Sequence, residues 1–301
     1  MAFTKRREYL FLYSVKDANP NGDPLNANHP RFDAETSMVM VSDVRIKRTI
    51  RDQWLKEGLP VFVDGEAKTL KTRITELREM LNVKSNEEAI QNCIDTRLFG
   101  VTFTLDKKKS FSRTGPVQFK WGRSLHKSKA ELIQGTAAFA SKDDRDQRSF
   151  RNEYIVPFVM LAVYGIANQH PSAESCATDE DVDKVATGLW NGTVNLITRS
   201  KIGHVPRLLI EVIYQEGFSG IAGSLDEKIS LLNSDGRQFT ADEELAIRTP
   251  KDFIVDIAGV NKRLLEIKEN IDKINLWCDS ELQFKGLDEL KSDFAGKLIE
   301  K

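Results

Sequence analysis

Hydrophobic residues fall into two kinds of pattern along the first two thirds of the chain. Short runs rich in aromatic and branched residues, bounded by turn-forming residues, predict β-strands. These runs lie at 8–15, Leu98–Leu105, Gly115–Trp121, Tyr154–Ile166 and Arg207–Tyr214. Segments with helical spacing after a capping residue predict α-helices. They lie at about Val44–Glu57, after Ser42 and Asp43, and at about Glu180–Ser200, after Thr178 or Asp179.

Once the insertions are set aside, the order that remains is strand, helix, strand, strand, helix, strand. That order is typical of the split βαβ unit of ferredoxin-like and RRM-type domains. We therefore predict an α+β fold with a domain made of residues 1–60 and 96–217. An open sheet with two helices behind it is the expected architecture.

Three further segments interrupt or extend this domain. Residues 61–95 are charged with apolar residues at helical spacing, which predicts a finger-like helical insertion. Residues 127–153 are polar and basic, and a protruding hairpin or loop is expected there. Residues 218–301 predict a charged helical extension, in which the apolar residues from Leu264 to Ile274 are more typical of a core than of an interface.

Global charge does not indicate a nucleic-acid partner. The 301 residues contain 44 Lys and Arg against 45 Asp and Glu, so the formal net charge is -1. Any polyanion must therefore bind to a local concentration of positive charge. The three cysteines show no ligand spacing and are expected to be reduced thiols. Because no apolar stretch approaches the ~20 residues that a membrane helix needs, a cytoplasmic protein without membrane contact is expected.

Positive charge is concentrated on the first predicted helix. Ile46, Ile50 and Trp54 share one face, whereas the opposite face is cationic. The cationic residues are Lys47, Arg48 and Arg51, with Arg45 at the edge. Such a cluster can hold a phosphate backbone, although a lone basic cluster is more often a solvated helix face.

Two turn-rich segments contain side chains that suit the same ligand. Asn19 and Asn21 lie in a loop dense in Asn, Asp, Gly and Pro, and Gln118 follows Gly115 and Pro116. Amide side chains and glycine backbones permit close approach to phosphate and ribose. Each segment alone is equally typical of an ordinary turn.

Three segments, taken in order, resemble a known family. They are Asp17–Pro24, Ser42–Arg51 and Gly115–Phe119, within a similarity that covers roughly residues 8–215. The family is that of the backbone subunits of CRISPR type I surveillance complexes, the seventh family of CRISPR-associated proteins, and its type I-B branch is the most similar.

This resemblance implies an RRM-like palm, a finger region and a thumb hairpin, with the thumb at about 130–153. Several copies would form a helical filament along one guide RNA, together with other Cascade subunits, for recognition of a target DNA strand in antiviral defence. No cofactor and no catalysis are implied. Guide phosphates would contact Lys47, Arg48 and Arg51, with Arg45 alongside, and the RNA backbone or sugars would contact Asn19, Asn21 and Gln118.

Two other functions stay open at this point. Asp17, Asp23 and Asp33 lie in the first long loop, so a metal-dependent RNA endonuclease of the same superfamily is conceivable. The basic helix could instead dock an acidic partner protein. The four histidines are isolated, and no phosphate-binding loop or nucleophile-elbow motif occurs, which gives no support to other hydrolases.

Overall fold

The computed structural model describes residues 1–104, 110–136 and 150–301. The strands are β1 Arg7–Ala18, β2 Gly22–Asp23, β3 His29–Pro30, β4 Met38–Val41, β5 Gly100–Thr104, β6 Ser110–Thr114, β7 Val117–Phe119, β8 Gly122–Lys127, β9 Glu131–Thr136, β10 Phe150–Ala167, β11 His204–Tyr214, β12 Ser230–Leu232, β13 Ile254–Asp256, β14 Ile271–Cys278, β15 Gln283–Lys285 and β16 Leu298–Glu300. The α-helices are α1 Asp43–Lys56, α2 Leu70–Leu81, α3 Asn86–Gln91, α4 Ile94–Phe99, α5 Ser172–Ser175, α6 Asp179–Val194, α7 Ala241–Ala246, α8 Ala258–Leu265 and α9 Leu287–Asp293.

A large, mostly antiparallel sheet forms the centre of the molecule, with strand order β16-β14-β11-β1-β10-β8-β4 and one parallel pair, β14 with β16. Strand β1 pairs antiparallel with β10 on one side and with β11 on the other. The four strands β11-β1-β10-β8, together with α1 and α6, form the split βαβ arrangement, with the fourth strand beside the first. The α+β fold with an RRM-like palm is therefore confirmed.

Helices α1 and α6 cover one face of this sheet. Residues of β1 alternate between the two faces, because side chains of a strand point to opposite sides in turn. Phe11 and Tyr13 face the helices and pack in one core with Ile50 and Trp54 of α1 and Leu189 of α6. This burial fixes α1 against the sheet and leaves its other side toward the finger region.

The opposite face of the sheet is also buried, so the expected open sheet is wrong. Leu10 and Leu12 of β1 are fully buried in a second core with Phe253, Val255 and Leu264 of the C-terminal segment. Strand β1 is apolar at consecutive positions because both of its faces are covered.

The expectation of a helical extension over 218–301 is also wrong. This segment contains β12 to β16 as well as α7 to α9, and β14 joins the central sheet beside β11. The apolar stripe begins in α8 with Leu264 but continues into β14 with Ile271 and Ile274. Leu264, Ile271 and Ile274 are all buried in the core, as predicted, but they do not lie on one helix.

Two predicted element boundaries differ from the structure. Leu98 and Phe99 end helix α4, and the strand begins at Gly100, whose φ of +86° permits a sharp change of direction. Helix α6 ends at Val194, and residues 195–203 form turns and irregular backbone before β11. The boundary at Gly100 was missed because a short apolar run does not distinguish a buried short helix from a strand.

The finger region has a small core of its own. Ile74 and Leu77 of α2, Ile90 of α3 and Phe103 of β5 pack together apart from the two large cores. Strands β9 and β10 pair antiparallel from Phe150 opposite Thr136, at the position expected for the thumb. The rest of the predicted thumb, 137–149, lies outside the described residues. Among the described helices, none combines the length and the apolar character needed to cross a membrane.

Candidate nucleic-acid interface

The basic helix α1 begins directly beside the first long loop. Ser42 is its N-cap, with Oγ accepting from the backbone N of Arg45 at 3.3 Å. The backbone N of Ser42 in turn donates to Oδ1 of Asn21 at 2.8 Å. The loop is therefore attached to the first turn of the helix, and the two predicted motifs form one surface feature.

Lys47 and Gln118 lie in contact, although 71 residues separate them. Lys47 Nζ donates to Oε1 of Gln118 at 2.9 Å and to Oδ2 of Asp43 at 3.3 Å, and lies 5.6 Å from the ring centre of Phe99. The amide of Gln118 also donates to the carbonyl of Gly115 at 3.0 Å. The structure thus joins two predicted site residues into one hydrogen-bonded unit.

Arg51 serves the junction between α1 and the finger region. Its Nε donates to Oδ2 of Asp95 at 2.8 Å. Asp95 is fully buried and also accepts from the backbone N of Phe62 at 2.7 Å and of Val63 at 3.2 Å. A guanidinium that neutralises a buried carboxylate is already engaged, so Arg51 has a structural partner.

Arg48 is engaged in a similar way. It pairs with Asp52 one turn along α1 and donates to the carbonyl of Asp64 at 2.7 Å and of Val63 at 3.3 Å. Together with the pairs of Lys47 and Arg51, this means that the cationic face predicted for α1 is largely neutralised by neighbouring carboxylates. The sequence pattern located the cations but not their acidic partners.

The loop residues Asn19 and Asn21 are both buried. Asn19 Nδ2 donates to the carbonyl of Asn28 at 2.7 Å, and the Asn19 backbone N donates to the carbonyl of Ser200 at 3.0 Å. With Asn21 capping the start of α1, both side chains hold the loop in shape. Their direct contact with RNA stays a prediction.

A further group of polar residues surrounds Arg45, and sequence reasoning did not identify it. Arg45 donates to Oγ1 of Thr49 at 2.9 Å, and among the described residues its nearest carboxylate is Asp52 at 3.9 Å. Lys201 Nζ donates to the carbonyls of Asn19 and Pro20.

His204 completes this group and is buried, with Nδ1 2.6 Å from the carbonyl oxygen of Lys201. A cavity of about 10 Å³ lies beside Arg45, Pro20, Thr49 and His204. Burial and the nearby Arg45 charge lower the pKa of Lys201 to about 7. Burial and the charges of Lys201 and Arg45 lower the pKa of His204 to about 3. The sequence carried no signal for this group, because its members meet only through packing of the α6–β11 turn on the first loop.

The loop aspartates considered for metal-dependent cleavage occupy structural positions. Asp23 Oδ1 accepts from the backbone N of Leu25 and from Arg31, each at 3.2 Å. Asp33 accepts from Arg123 at 2.9 Å, and this bond lowers the pKa of the Asp33 carboxyl. Asp17 is exposed. Within 1–104, 110–136 and 150–301, no group of three His, Cys, Asp or Glu side chains is placed to hold a metal ion.

Comparison with known proteins decides the family. A family model described as CRISPR-associated protein Cas7 matches residues 5–258. The chain belongs to the Cas7 family.

A curated relative, CRISPR-associated protein Cas7 of Haloferax volcanii, is 25% identical over 319 residues, covering 96% of this chain and 91% of the relative. A solved chain from a structure described as a CRISPR RNA-guided surveillance complex, pre-nicking, has a TM-score of 0.52 and 13% identity, and covers 97% of this chain and 99% of that chain. A second, from a CRISPR RNA-guided surveillance complex, has a TM-score of 0.48 and 15% identity, with 96% and 99% covered.

The Cas7 match includes the whole interface described above, from the first loop through α1 and Gln118 to the Lys201 turn. It also includes β12 and β13, so part of the layer that covers the second face of the sheet belongs to the matched region. Strands β14 and β16, which extend the central sheet, lie beyond residue 258.

Proposed function

We propose that this Cas7 protein is a guide-RNA-binding backbone subunit of a CRISPR type I surveillance complex, with several copies on one RNA and with further Cascade subunits. The family match over residues 5–258 carries this proposal. The fold likeness to a chain of an RNA-guided surveillance complex agrees with it. The target DNA strand would then be selected by pairing with the guide, not by this protein.

The charge distribution is compatible with that role. A formal net charge of -1 gives no general attraction for RNA, so affinity has to come from a few placed cations. Lys47 beside Gln118 and Arg45 beside the first loop provide cationic groups near the start of α1, on different sides of the helix. Contacts to phosphates and sugars without base readout suit a subunit that must accept any guide sequence.

Copies along one strand are proposed to meet head to tail. Such a contact joins two different surfaces of the same chain, and it produces an open helix when the rotation between neighbours does not close. The regular spacing of phosphates along a single strand would then set the repeat. The type I-B assignment rests on the ordered motifs of the first loop, α1 and the Gly115–Phe119 segment.

A role without catalysis is part of the proposal. Asp23 and Asp33 already accept hydrogen bonds that shape the first loop, which leaves Asp17 as the exposed carboxylate of the three. Incubating labelled guide or target RNA with the protein and Mg²⁺ or Mn²⁺ tests this. Cleavage that disappears in Asp17→Ala would establish the nuclease alternative instead.

The RNA-binding proposal is tested with Lys47→Met, which removes the charge that lies over the Phe99 ring and keeps an unbranched side chain of similar length. Labelled single-stranded guide RNA is titrated at several salt concentrations and followed by fluorescence anisotropy. We expect affinity to fall several-fold, and the salt slope to decrease by about 0.7, the value for one phosphate contact on a single strand.

Lys56→Met is the matched control, since Lys56 lies in the last turn of the same helix and is exposed. Arg51 is not substituted in this test, because its loss would leave the buried Asp95 carboxylate unpaired and would destabilise the fold. Equal affinity and equal salt slope for the wild type and Lys47→Met, with unchanged circular dichroism, would remove Lys47 from the interface. A wild type that binds no RNA would contradict the proposed function itself.

A further inference from the structure

Arg45 and Lys201 are two partly buried basic side chains with little compensating negative charge. Arg45 is 3.9 Å from Asp52, which lies closer to Arg48, and its side chain is 20% exposed. Among the described residues, Lys201 has no carboxylate within ion-pair distance, and its ammonium is held by the carbonyls of Asn19 and Pro20. Burying charge without a counter-ion is costly, so this arrangement is incomplete as it stands.

Two buried polar atoms close to Lys201 also lack hydrogen-bond partners among the described residues. His204 is 8% exposed, and its Nε2 has no hydrogen-bond partner among the described residues. The Oδ1 atom of Asn19, in the loop against which Lys201 packs, is likewise buried and unpartnered. Buried polar side-chain atoms normally have a partner, which makes two orphans around one cation pair unusual.

The cavity beside His204 is too small for a whole ligand. Its volume of about 10 Å³ corresponds to a single water. Arg45 and Lys201 both keep part of their surface in solvent, so a larger anion can reach them from outside. Because Nδ1–H of the neutral His204 donates to the Lys201 carbonyl, Nε2 of His204 is an acceptor, as is Oδ1 of Asn19. These two atoms therefore need a donor such as a water, and an anion suits only the two basic groups.

We propose that Arg45 and Lys201 form a phosphate subsite that receives one backbone phosphate of the bound RNA, with Lys201 as a binding residue additional to those of α1. This inference rests on the proposed function. A guanidinium can contact two phosphate oxygens at once, and an ammonium adds a point charge. The phosphate supplies the counter-charge that the free protein lacks.

The position of the pair supports RNA as the source of the phosphate. Lys201 is bound to the first loop through Asn19 and Pro20, and the same loop caps α1 through Asn21. The subsite therefore lies on the same loop and helix as the cations proposed for the guide. A strand crossing the start of α1 would pass both.

Proton uptake gives a specific signature. The charged or titratable neighbours of Lys201 are Arg45 on α1 and His204 on β11, with Tyr13 of β1 stacked on the His204 ring at 6.0 Å. Lys201 has a pKa of about 7 in the free protein and is largely neutral at pH 7.5. A bound phosphate raises that pKa, so RNA binding takes up a proton and the affinity weakens as pH rises above 7.

The experiment compares RNA binding by wild type, Lys201→Met and Lys201→Arg, with Lys16→Met as an exposed control on β1. We expect Lys201→Met to bind about tenfold more weakly, Lys201→Arg to recover most of the loss, and the control to match wild type. Calorimetry at pH 7.5 in two buffers of different ionisation enthalpy is expected to show proton uptake for wild type and none for Lys201→Met.

Several results would overturn the subsite while leaving the proposed function intact. One is wild-type affinity in a folded Lys201→Met protein, and another is proton uptake that persists in that variant. A further test measures thermal stability with added inorganic phosphate at constant ionic strength. Thermal stabilisation by phosphate that Lys201→Met abolishes, with RNA binding unchanged, would assign the site to free phosphate and not to RNA. If Lys201→Met fails to fold, proton uptake on RNA binding by wild type supports the subsite, and its absence overturns it.

Discussion

Asp95 shows how one buried residue determines what neighbouring cations can do. Its carboxylate is fully buried and accepts from Arg51 and from two backbone N–H groups of the segment that leads into the finger region. Arg51 supplies the positive charge that makes this burial possible. A residue that sequence reasoning placed on an RNA-binding face therefore also connects α1 to the finger region.

We predict that Arg51→Ala lowers the free energy of unfolding by about 3 kcal/mol, because it leaves a buried carboxylate unpaired. Urea denaturation followed by circular dichroism measures the change. Lys56→Ala on the same helix is the control and is expected to shift stability by less than about 0.5 kcal/mol. If Arg51→Ala is as stable as wild type, burial of the Asp95 carboxylate does not depend on its ion pair with Arg51.

The burial of His126 predicts that the folded protein loses stability in acid. It is buried, its Nε2 accepts from the backbone N of Met160 at 3.2 Å, and its Nδ1 lies 2.9 Å from the carbonyl of Lys127. Burial lowers the pKa of His126 to about 4. Because the unfolded chain binds a proton more readily than the folded one, stability falls as pH drops below the ordinary histidine pKa of about 6.5.

Between pH 7.5 and pH 5, we expect His126 to cost about 2 kcal/mol of unfolding free energy, with a similar contribution from His204. Urea midpoints at the two pH values measure this loss. His126→Gln is expected to be less stable at pH 7.5 but to lose less on acidification. An unchanged pH dependence in His126→Gln would assign the acid sensitivity to other groups.

At the scale of elements, close contact between α1 and α6 holds the basic helix in place. Gly188 and Gly192 of α6 face Ile50 and Thr49 of α1, and a Cβ built on Gly192 would lie 2.7 Å from the backbone oxygen of Thr49. Glycine permits this approach because it has no side chain to separate the two backbones. The position of every cation on α1 depends on this spacing.

We predict that Gly192→Ala destabilises the protein by about 1–3 kcal/mol, because a backbone atom opposes the added methyl group and the helices must separate. Thermal unfolding measures the effect. Gly296→Ala is the matched control, since nothing lies within 4 Å of a Cβ added there. If Gly192→Ala raised stability, the better helix propensity of alanine would outweigh the packing, and the helices would be shown to tolerate a wider spacing.

At the scale of the whole molecule, the sheet depends on the C-terminal segment. Glu8 of β1 is fully buried and accepts from the hydroxyls of Tyr164 and Tyr214. It also accepts from the backbone N of Ala222 at 2.7 Å and of Gly223 at 2.9 Å. This carboxylate attaches the start of the C-terminal segment to the centre of the sheet, above the core that the segment completes.

We predict that a chain ending at residue 217 does not fold to a stable monomer, because the apolar face around Leu10, Leu12 and Ile210 loses its cover. Soluble yield, size-exclusion chromatography and binding of a hydrophobic dye measure this against the full chain. A monomeric, cooperatively unfolding 1–217 protein would show that the palm is an independent domain and that the C-terminal segment is an accessory.

The sequence alone determined the strands β1, β10 and β11, the helices α1 and α6, and from their order the split βαβ palm. These features follow from local periodicity and capping, which neighbouring residues encode. Sequence also located the cations of α1, because Lys47, Arg48 and Arg51 recur at helical spacing.

Only the tertiary structure decided how those cations are used. Arg51 meets Asp95 44 residues away, Lys47 meets Gln118 71 residues away, and Lys201 reaches Asn19 182 residues away. The cover of the second sheet face came likewise from residues beyond 217, in strands too short to show a period. Partners at such separations are chosen by packing of the whole chain, and no local pattern records them.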